Sequence, residues 1–209
     1  MARVLVAGFE PFGGRRMNPA SELVARLAER GGGTRQLAAH PLPVSFARLR
    51  PALDELVAAH DPDVILGLGL AAGSAALRLE QVAINVMAAG EVADNEGQAP
   101  QGEPIEPAGP AARFSLLDNA ALARRLVEAG IPAERSFHAG THCCNLLLYH
   151  GLGLVGGGRR LKQCGFLHLP CLPEQVAADR LSGGLDRHAP SLPLDAMLQA
   201  VELIVSAAA

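Results

Sequence analysis

The chain has 209 residues, 49% of them hydrophobic and 19% charged, a composition that suits one globular domain over 1–209 and excludes a largely disordered chain. Eighteen Lys and Arg stand against 21 Asp and Glu, so no basic excess is available to neutralise a phosphate backbone and a nucleic-acid partner is not expected. No apolar run approaches the ~18 residues that span a membrane; the N-terminal MARVLVAGF lacks the long apolar stretch and cleavage site of a signal peptide and reads as the buried first strand of a cytoplasmic protein.

Arg3 to Ala7 is the first strand candidate and runs into the loop GFEPFGG, Gly8 to Gly14. A helix follows over Ala20 to Arg30, with Leu23, Val24 and Leu27 at helical spacing, and Gly31 to Gly33 stops it. A second strand spans Gln36 to Leu42, kept short or irregular by Pro41 and Pro43. Phe46 to His60 reads as a helix whose Pro51 must sit in the first turn or kink it. Asp63 to Gly69 is apolar on both faces, as in a parallel sheet, and Leu79 to Val86 is another strand. Gly90 to Pro110 holds four Gly and four Pro, too much punctuation for a helix or central strand, and reads as a long mobile or lid-like loop. Asn119 to Gly130 is a helix, Ser136 to Ala139 a short strand, and Asn145 to Leu152 a helix starting near Thr141. Gln163 to Leu169 is a strand, Glu174 to Leu181 a short helix, and Leu194 to Val205 a final amphipathic helix. The alternation predicts an α/β fold with a mostly parallel sheet covered on both faces, and sites at the carboxyl ends of its strands.

Three kinds of group in those places suggest chemistry: a thiol, a base and a carboxylate. AGTHCCN puts Cys143 and Cys144 after a strand and at a helix start, where free N–H groups and the positive end of the dipole favour a thiolate and can bind an oxyanion; buried small residues are the alternative. His168 closes the strand CGFLHLP, on one face with Phe166 and opposite Leu167 and Leu169; it is a core residue or a catalytic imidazole. Glu80 sits in the apolar stretch ALRLEQVAINV, costly there unless paired, and could orient His168 as a third triad member; a solvent-facing strand-edge Glu is the other reading. The four Cys (Cys143, Cys144, Cys164, Cys171) all lie in the last third of the chain and do not form a disulfide framework. Without a CxxC or CxxH pair, no metal site is expected. GFEPFGG lacks the Lys and Ser/Thr of a phosphate loop.

GFEPFGG with NPA, LPVSF, LEQVAIN, DNEG, AGTHCCN and GFLHLPCLPEQ resemble, in order and spacing, the pyroglutamyl peptidase I (pyrrolidone-carboxylate peptidase) family from about Val4 to Gln175. The resemblance implies a three-layer α/β/α sandwich with a mostly parallel mixed sheet. It implies a cysteine omega-peptidase that removes N-terminal pyroglutamate from peptides, without cofactor, and typically a cytosolic homotetramer. It places the nucleophile on Cys144, the base on His168 and the carboxylate on Glu80. Phe9 and Phe12 match the rings that hold pyroglutamate, a flat lactam suited to an aromatic slot, and Asn18 matches a polar position of the motif. Departures fall in the pocket: Leu70 stands where relatives carry a Gln that contacts the lactam, AAGEVA (88–93) lacks the usual Arg, and His142 and Cys143 replace apolar or aromatic residues. They bear on substrate preference and rate rather than on reaction class. Two other readings stay open: a hydrolase of another cyclic amide or modified N-terminus, and a binding protein that keeps the fold without turnover.

Overall fold

The computed structural model describes residues 2–31 and 37–208. Its elements are, in chain order, β1 (Val4–Phe9), α1 (Pro19–Gly31), β2 (Leu37–Leu42), α2 (Leu49–His60), β3 (Val64–Leu70), β4 (Leu77–Glu80), β5 (Val82–Ile84), β6 (Met87–Ala88), β7 (Gln101–Glu103), β8 (Ala112–Phe114), α3 (Asn119–Glu128), β9 (Ala133–Ser136), α4 (Cys143–Gly153), β10 (Gln163–Leu169), α5 (Pro173–Ser182) and α6 (Leu194–Ala208).

β1 and β3 are buried at every position, and strand alternation divides their side chains between two apolar clusters. Val4, Val6, Leu66, Leu68, Leu167 and Leu169 face α1, α3 and α6 through Leu23, Leu27, Leu126 and Val201. Leu5, Ala7, Ile65 and Phe166 face α2 and α4 through Leu49, Leu53, Leu146 and Leu147. A strand buried on both faces needs a layer on each side, and the expected α/β/α sandwich follows. The main sheet runs β2-β1-β3-β10-β4-β9. Its pairings are parallel except between β10 and β4, so β4 and β9 run against the other four. Two small antiparallel ribbons, β5–β8 and β6–β7, flank it.

Several boundaries differ from the sequence expectation. β1 continues through Gly8 and Phe9, because Gly8 lets α1 press on the strand: a Cβ there would stand 2.7 Å from the Ala20 carbonyl oxygen. Pro51 lies in the first turn of α2, where its missing N–H costs no helical bond, and the helix starts at Leu49 rather than Phe46. Pro41 is tolerated because, among the described residues, β2 pairs only with β1 and forms a sheet edge. Helix α1 is described as far as Gly31; Gly32, Gly33 and Gln36 lie outside the described residues.

The single strand expected over Leu79 to Val86 is two. The chain turns at Gln81, whose N–H bonds Ser136 and whose carbonyl accepts from Ser115, so β5 leaves the main sheet to pair with β8. The short strand expected over Ser136 to Ala139 lies instead at Ala133–Ser136, an edge strand with Glu134 and Arg135 exposed. The Gly90 to Pro110 segment contains β7 and is pinned rather than free. Asp94 accepts from the backbone N–H groups of Phe46 (2.8 Å), Glu96 (2.9 Å) and Gln98 (2.7 Å), and Asn95 donates to Glu10 Oε1 and the Pro11 carbonyl.

Candidate active site

The carboxyl ends of β1, β3 and β10 converge on the start of α4. The turn before this helix uses Gly140 at φ 79° and is stitched to β6: Thr141 Oγ1 donates to the Ala88 carbonyl at 2.9 Å, and Ala88 N–H donates to the Thr141 carbonyl at 2.9 Å. His142 is the N-cap but supplies no side-chain cap bond, so the first-turn N–H groups, those of Cys143 and Cys144 among them, gain no side-chain acceptor from it.

The two adjacent thiols differ sharply. Cys143 points into the core at 1% exposure, and burial, then Cys144 beside it, push its thiol far up. Cys144 is partly exposed and sits over Gly69 of β3; a Cβ on that glycine would lie 2.7 Å from its Sγ and 2.8 Å from the Phe166 ring. Cys164 is held up to about 12 by burial. Cys171 reaches about 12 by burial and the Asp186 charge.

His168 is on the face of β10 toward α4, one residue pair along from Phe166, whose ring it meets edge-on with centroids 4.9 Å apart. Its Nδ1 is 2.8 Å from Glu80 Oε1, which fixes the ring and turns Nε2 away from the carboxylate. The Cys144 thiol lies beside the ring. Burial opposes a charged imidazole, but Cys144 and the Glu80 carboxylate outweigh it and raise His168 from its ordinary 6.5 to about 9. Glu80 itself is fully buried. Antiparallel pairing sets Arg78 opposite His168, which carries Glu80, two residues further along β4, diagonally to the imidazole. Cys144 at a helix start, His168 and Glu80 thus lie next to one another, the residue types from which a nucleophile, a base and an orienting carboxylate can be built.

The other expected site residues are placed less uniformly. Phe12 is half-buried and packs both on the small cluster of Leu70, Cys171 and Val176 and on the core under α4 that Cys144 also touches; Leu70 follows Gly69 on β3 and is on the opposite strand face. Phe9 is 2% exposed and belongs to the core under α4. Asn18 is fully buried; its Oδ1 caps α1 by accepting from Ala20 N–H at 3.0 Å and its Nδ2 donates to the Glu10 carbonyl at 3.0 Å, which shapes the loop and leaves its amide engaged there. His142 lies between Phe46 (4.7 Å) and Phe12 (5.9 Å), with Nε2 3.2 Å from the Val92 carbonyl oxygen.

Asn145 and Asp94 carry roles beyond the expected site residues, Asp94 in pinning the 90–110 segment and Asn145 at the start of α4. Asn145 Nδ2 donates to the carbonyls of Ile84 (2.9 Å) and Val86 (3.0 Å), and Oδ1 accepts from Ile84 N–H (2.9 Å), fixing the start of α4 to β5. An amide in an otherwise apolar helix is the signal that marks it, since a buried polar group must find partners.

A family model described as pyroglutamyl peptidase matches residues 2–209. The chain is 38% identical over 203 residues to the pyrrolidone-carboxylate peptidase of Thermococcus onnurineus, covering 97% of this chain and 96% of that protein. It is 39% identical over 208 residues to the one from Yersinia pestis (strain Pestoides F), covering 100% and 93%. Among solved structures, a mutant pyrrolidone carboxyl peptidase from P. furiosus superposes with a TM-score of 0.90 at 35% identity, over 99% of this chain and 97% of that one.

Proposed function

The chain belongs to the pyroglutamyl peptidase family, and from that premise we propose that it hydrolyses the amide bond after an N-terminal pyroglutamate, with Cys144 as nucleophile, His168 as general base and acid, and Glu80 as the carboxylate that orients His168. The observation that carries the assignment is the buried His168–Glu80 contact of 2.8 Å, with the Cys144 thiol beside the same imidazole.

In this reading the Cys144 sulfur, its proton held by His168, attacks the carbonyl joining pyroglutamate to the next residue. The carbonyl oxygen becomes negative and is held by the N–H groups at the start of α4. His168 gives its proton to the departing amine as the C–N bond breaks, leaving a thioester on Cys144. A water, deprotonated by His168, then attacks the thioester, releasing pyroglutamate and the free thiol. Glu80 keeps the imidazole in the tautomer with Nδ1–H and stabilises its charged form. Phe12 and Leu70 form the apolar wall for the lactam, with Phe9 beneath; Asn18 acts by holding the loop that carries Phe12.

The reading extends to pyroglutamyl peptides as substrates, one domain over 1–209, and a cytoplasmic homotetramer, supported by the family resemblance. No helix among the described residues is long and apolar enough to cross a membrane. Release of a chromogenic amine from a pyroglutamyl amide, with gel filtration for the assembly, tests it; absence of turnover by the intact protein would overturn the assigned reaction.

A further inference from the structure

Arg78 is a charged residue of the same sheet face that the reaction does not consume. It stands opposite His168 in the β10–β4 pairing and on the same face of β4 as Glu80. Its Nη2 donates to Ser136 Oγ at 2.7 Å. Its Nε lies 4.0 Å from Glu80 Oε1 and 3.6 Å from Glu134 Oε1, beyond hydrogen-bonding distance of both. Among the described residues, Arg78 Nε and Glu80 Oε2 are both buried without a hydrogen-bond partner.

A fully buried carboxylate with one oxygen unbonded is expensive unless a cation stands close. His168 supplies such a charge only while it is protonated, and it must lose that proton to the leaving amine. A guanidinium keeps its charge throughout. The Arg78–Glu134 contact does not explain the arrangement, because Glu134 is more than half exposed and an exposed pair contributes little.

We propose that Arg78 is a positioning residue for this centre: its guanidinium is the fixed cation beside Glu80 that holds the carboxylate aimed at His168 through the whole cycle. The charged and titratable groups facing it are Glu80 on its own strand, His168 on β10 and Glu134 on β9; Cys144 lies beyond them, against His168. Loss of one positive charge raises the pKa of every ionisable neighbour, acid and base alike. The signature is therefore a displacement of the whole pH profile toward higher pH, which a loss of packing does not produce.

The inference rests on the functional reading above, so the test uses a readout that needs no substrate: the rate of Cys144 carbamidomethylation by iodoacetamide from pH 5 to 10, followed by mass spectrometry. Arg78→Gln, which can still bond Ser136, is expected to shift the profile upward by about one pH unit, the size of a nearby unit charge partly screened. Arg78→Lys should restore the wild-type position, and Glu134→Gln should leave it in place. An Arg78→Gln profile that keeps the wild-type midpoint, or Arg78→Lys and Arg78→Gln behaving alike, would overturn the proposal. Should Arg78→Gln not fold, Arg78→Lys against Glu134→Gln decides: a displaced midpoint in the lysine variant also counts against it. Failure to cleave pyroglutamyl amides, with the alkylation profiles as expected, would count against the reaction and not against Arg78.

Discussion

The sulfur of Cys144 rests over the bare backbone of Gly69: a Cβ at that position would come within 2.7 Å of Sγ and 2.8 Å of the Phe166 ring. Residue 69 lies on the face of β3 turned to α4, two along from Gly67, where a Cβ would meet the same Phe166 ring at 2.5 Å. The two glycines let the ring and the thiol sink toward the sheet, beside His168. Gly69→Ala is expected to lower kcat/KM by about tenfold or more, since displacement of a nucleophile by about an ångström costs that much or more, and to destabilise the fold by about 1–3 kcal/mol as overpacking does. Kinetics beside a urea melt separate the two losses; unchanged kcat/KM would show that the sulfur has room to move.

The His168–Glu80 contact sets a pH dependence. His168 is raised from 6.5 to about 9 by Cys144 and Glu80 against the opposing effect of burial. A raised pKa means that the imidazolium is favoured by the fold: its contribution to stability is complete below about 6.5 and is lost as pH rises through about 9. The activity should fall on the alkaline side near 9, and Cys144 should be alkylated rapidly at neutral pH in the wild type and slowly in His168→Ala. Identical alkylation rates across pH in the two proteins would remove His168 from the mechanism.

Leu70 offers no hydrogen bond to a lactam. It ends β3 at 9% exposure beside Phe12, so Leu70→Gln can bring an amide to that wall. One added bond is expected to contribute about 0.5–1.5 kcal/mol, a gain of roughly threefold to tenfold in kcat/KM. A neutral or harmful effect would mean that backbone groups already satisfy the lactam or that Leu70 is needed for packing on Val176.

Asn145 makes three bonds to β5 while fully buried. Asn145→Ala leaves Ile84 N–H and the carbonyls of Ile84 and Val86 without these partners, at about 1–3 kcal/mol for each group left dry. A loss of several kcal/mol in a denaturant titration is expected, together with reduced activity from a misplaced Cys144; a loss under 1 kcal/mol would show that water replaces the amide.

The parts of the fold that the sequence made legible are those where burial is two-sided. The apolar run Val64 to Leu70 and the split of Phe166 and His168 from Leu167 and Leu169 follow from strand period alone, and both hold. The break at Gln81 was hidden, because ALRLEQVAINV reads as one strand while tertiary bonds to Ser115 and Ser136 bend it. β9 departs from the bounds its pattern suggests because an exposed edge strand carries Glu134 and Arg135 instead of an apolar pattern. At the site, local chemistry points to Cys144, His168 and Glu80 one by one. Their convergence depends on β4 running antiparallel to β10, a long-range pairing that local pattern does not encode. The anchoring of Gly90 to Pro110 was concealed likewise, since composition shows Gly and Pro but not the three N–H groups that close on Asp94.

The central claim is that Cys144, and not its neighbour Cys143, performs nucleophilic attack. Cys143 is buried with its thiol pushed far up by that burial, whereas Cys144 lies partly exposed beside His168. Turnover of a pyroglutamyl chromogenic amide by Cys144→Ala and Cys143→Ala, measured side by side with the wild type, is the most direct test. The account predicts no turnover above background for Cys144→Ala and, for Cys143→Ala, activity within about tenfold of wild type, since Leu-sized cavities are not created by this change. Equal loss in both variants, or activity surviving in Cys144→Ala, would contradict it.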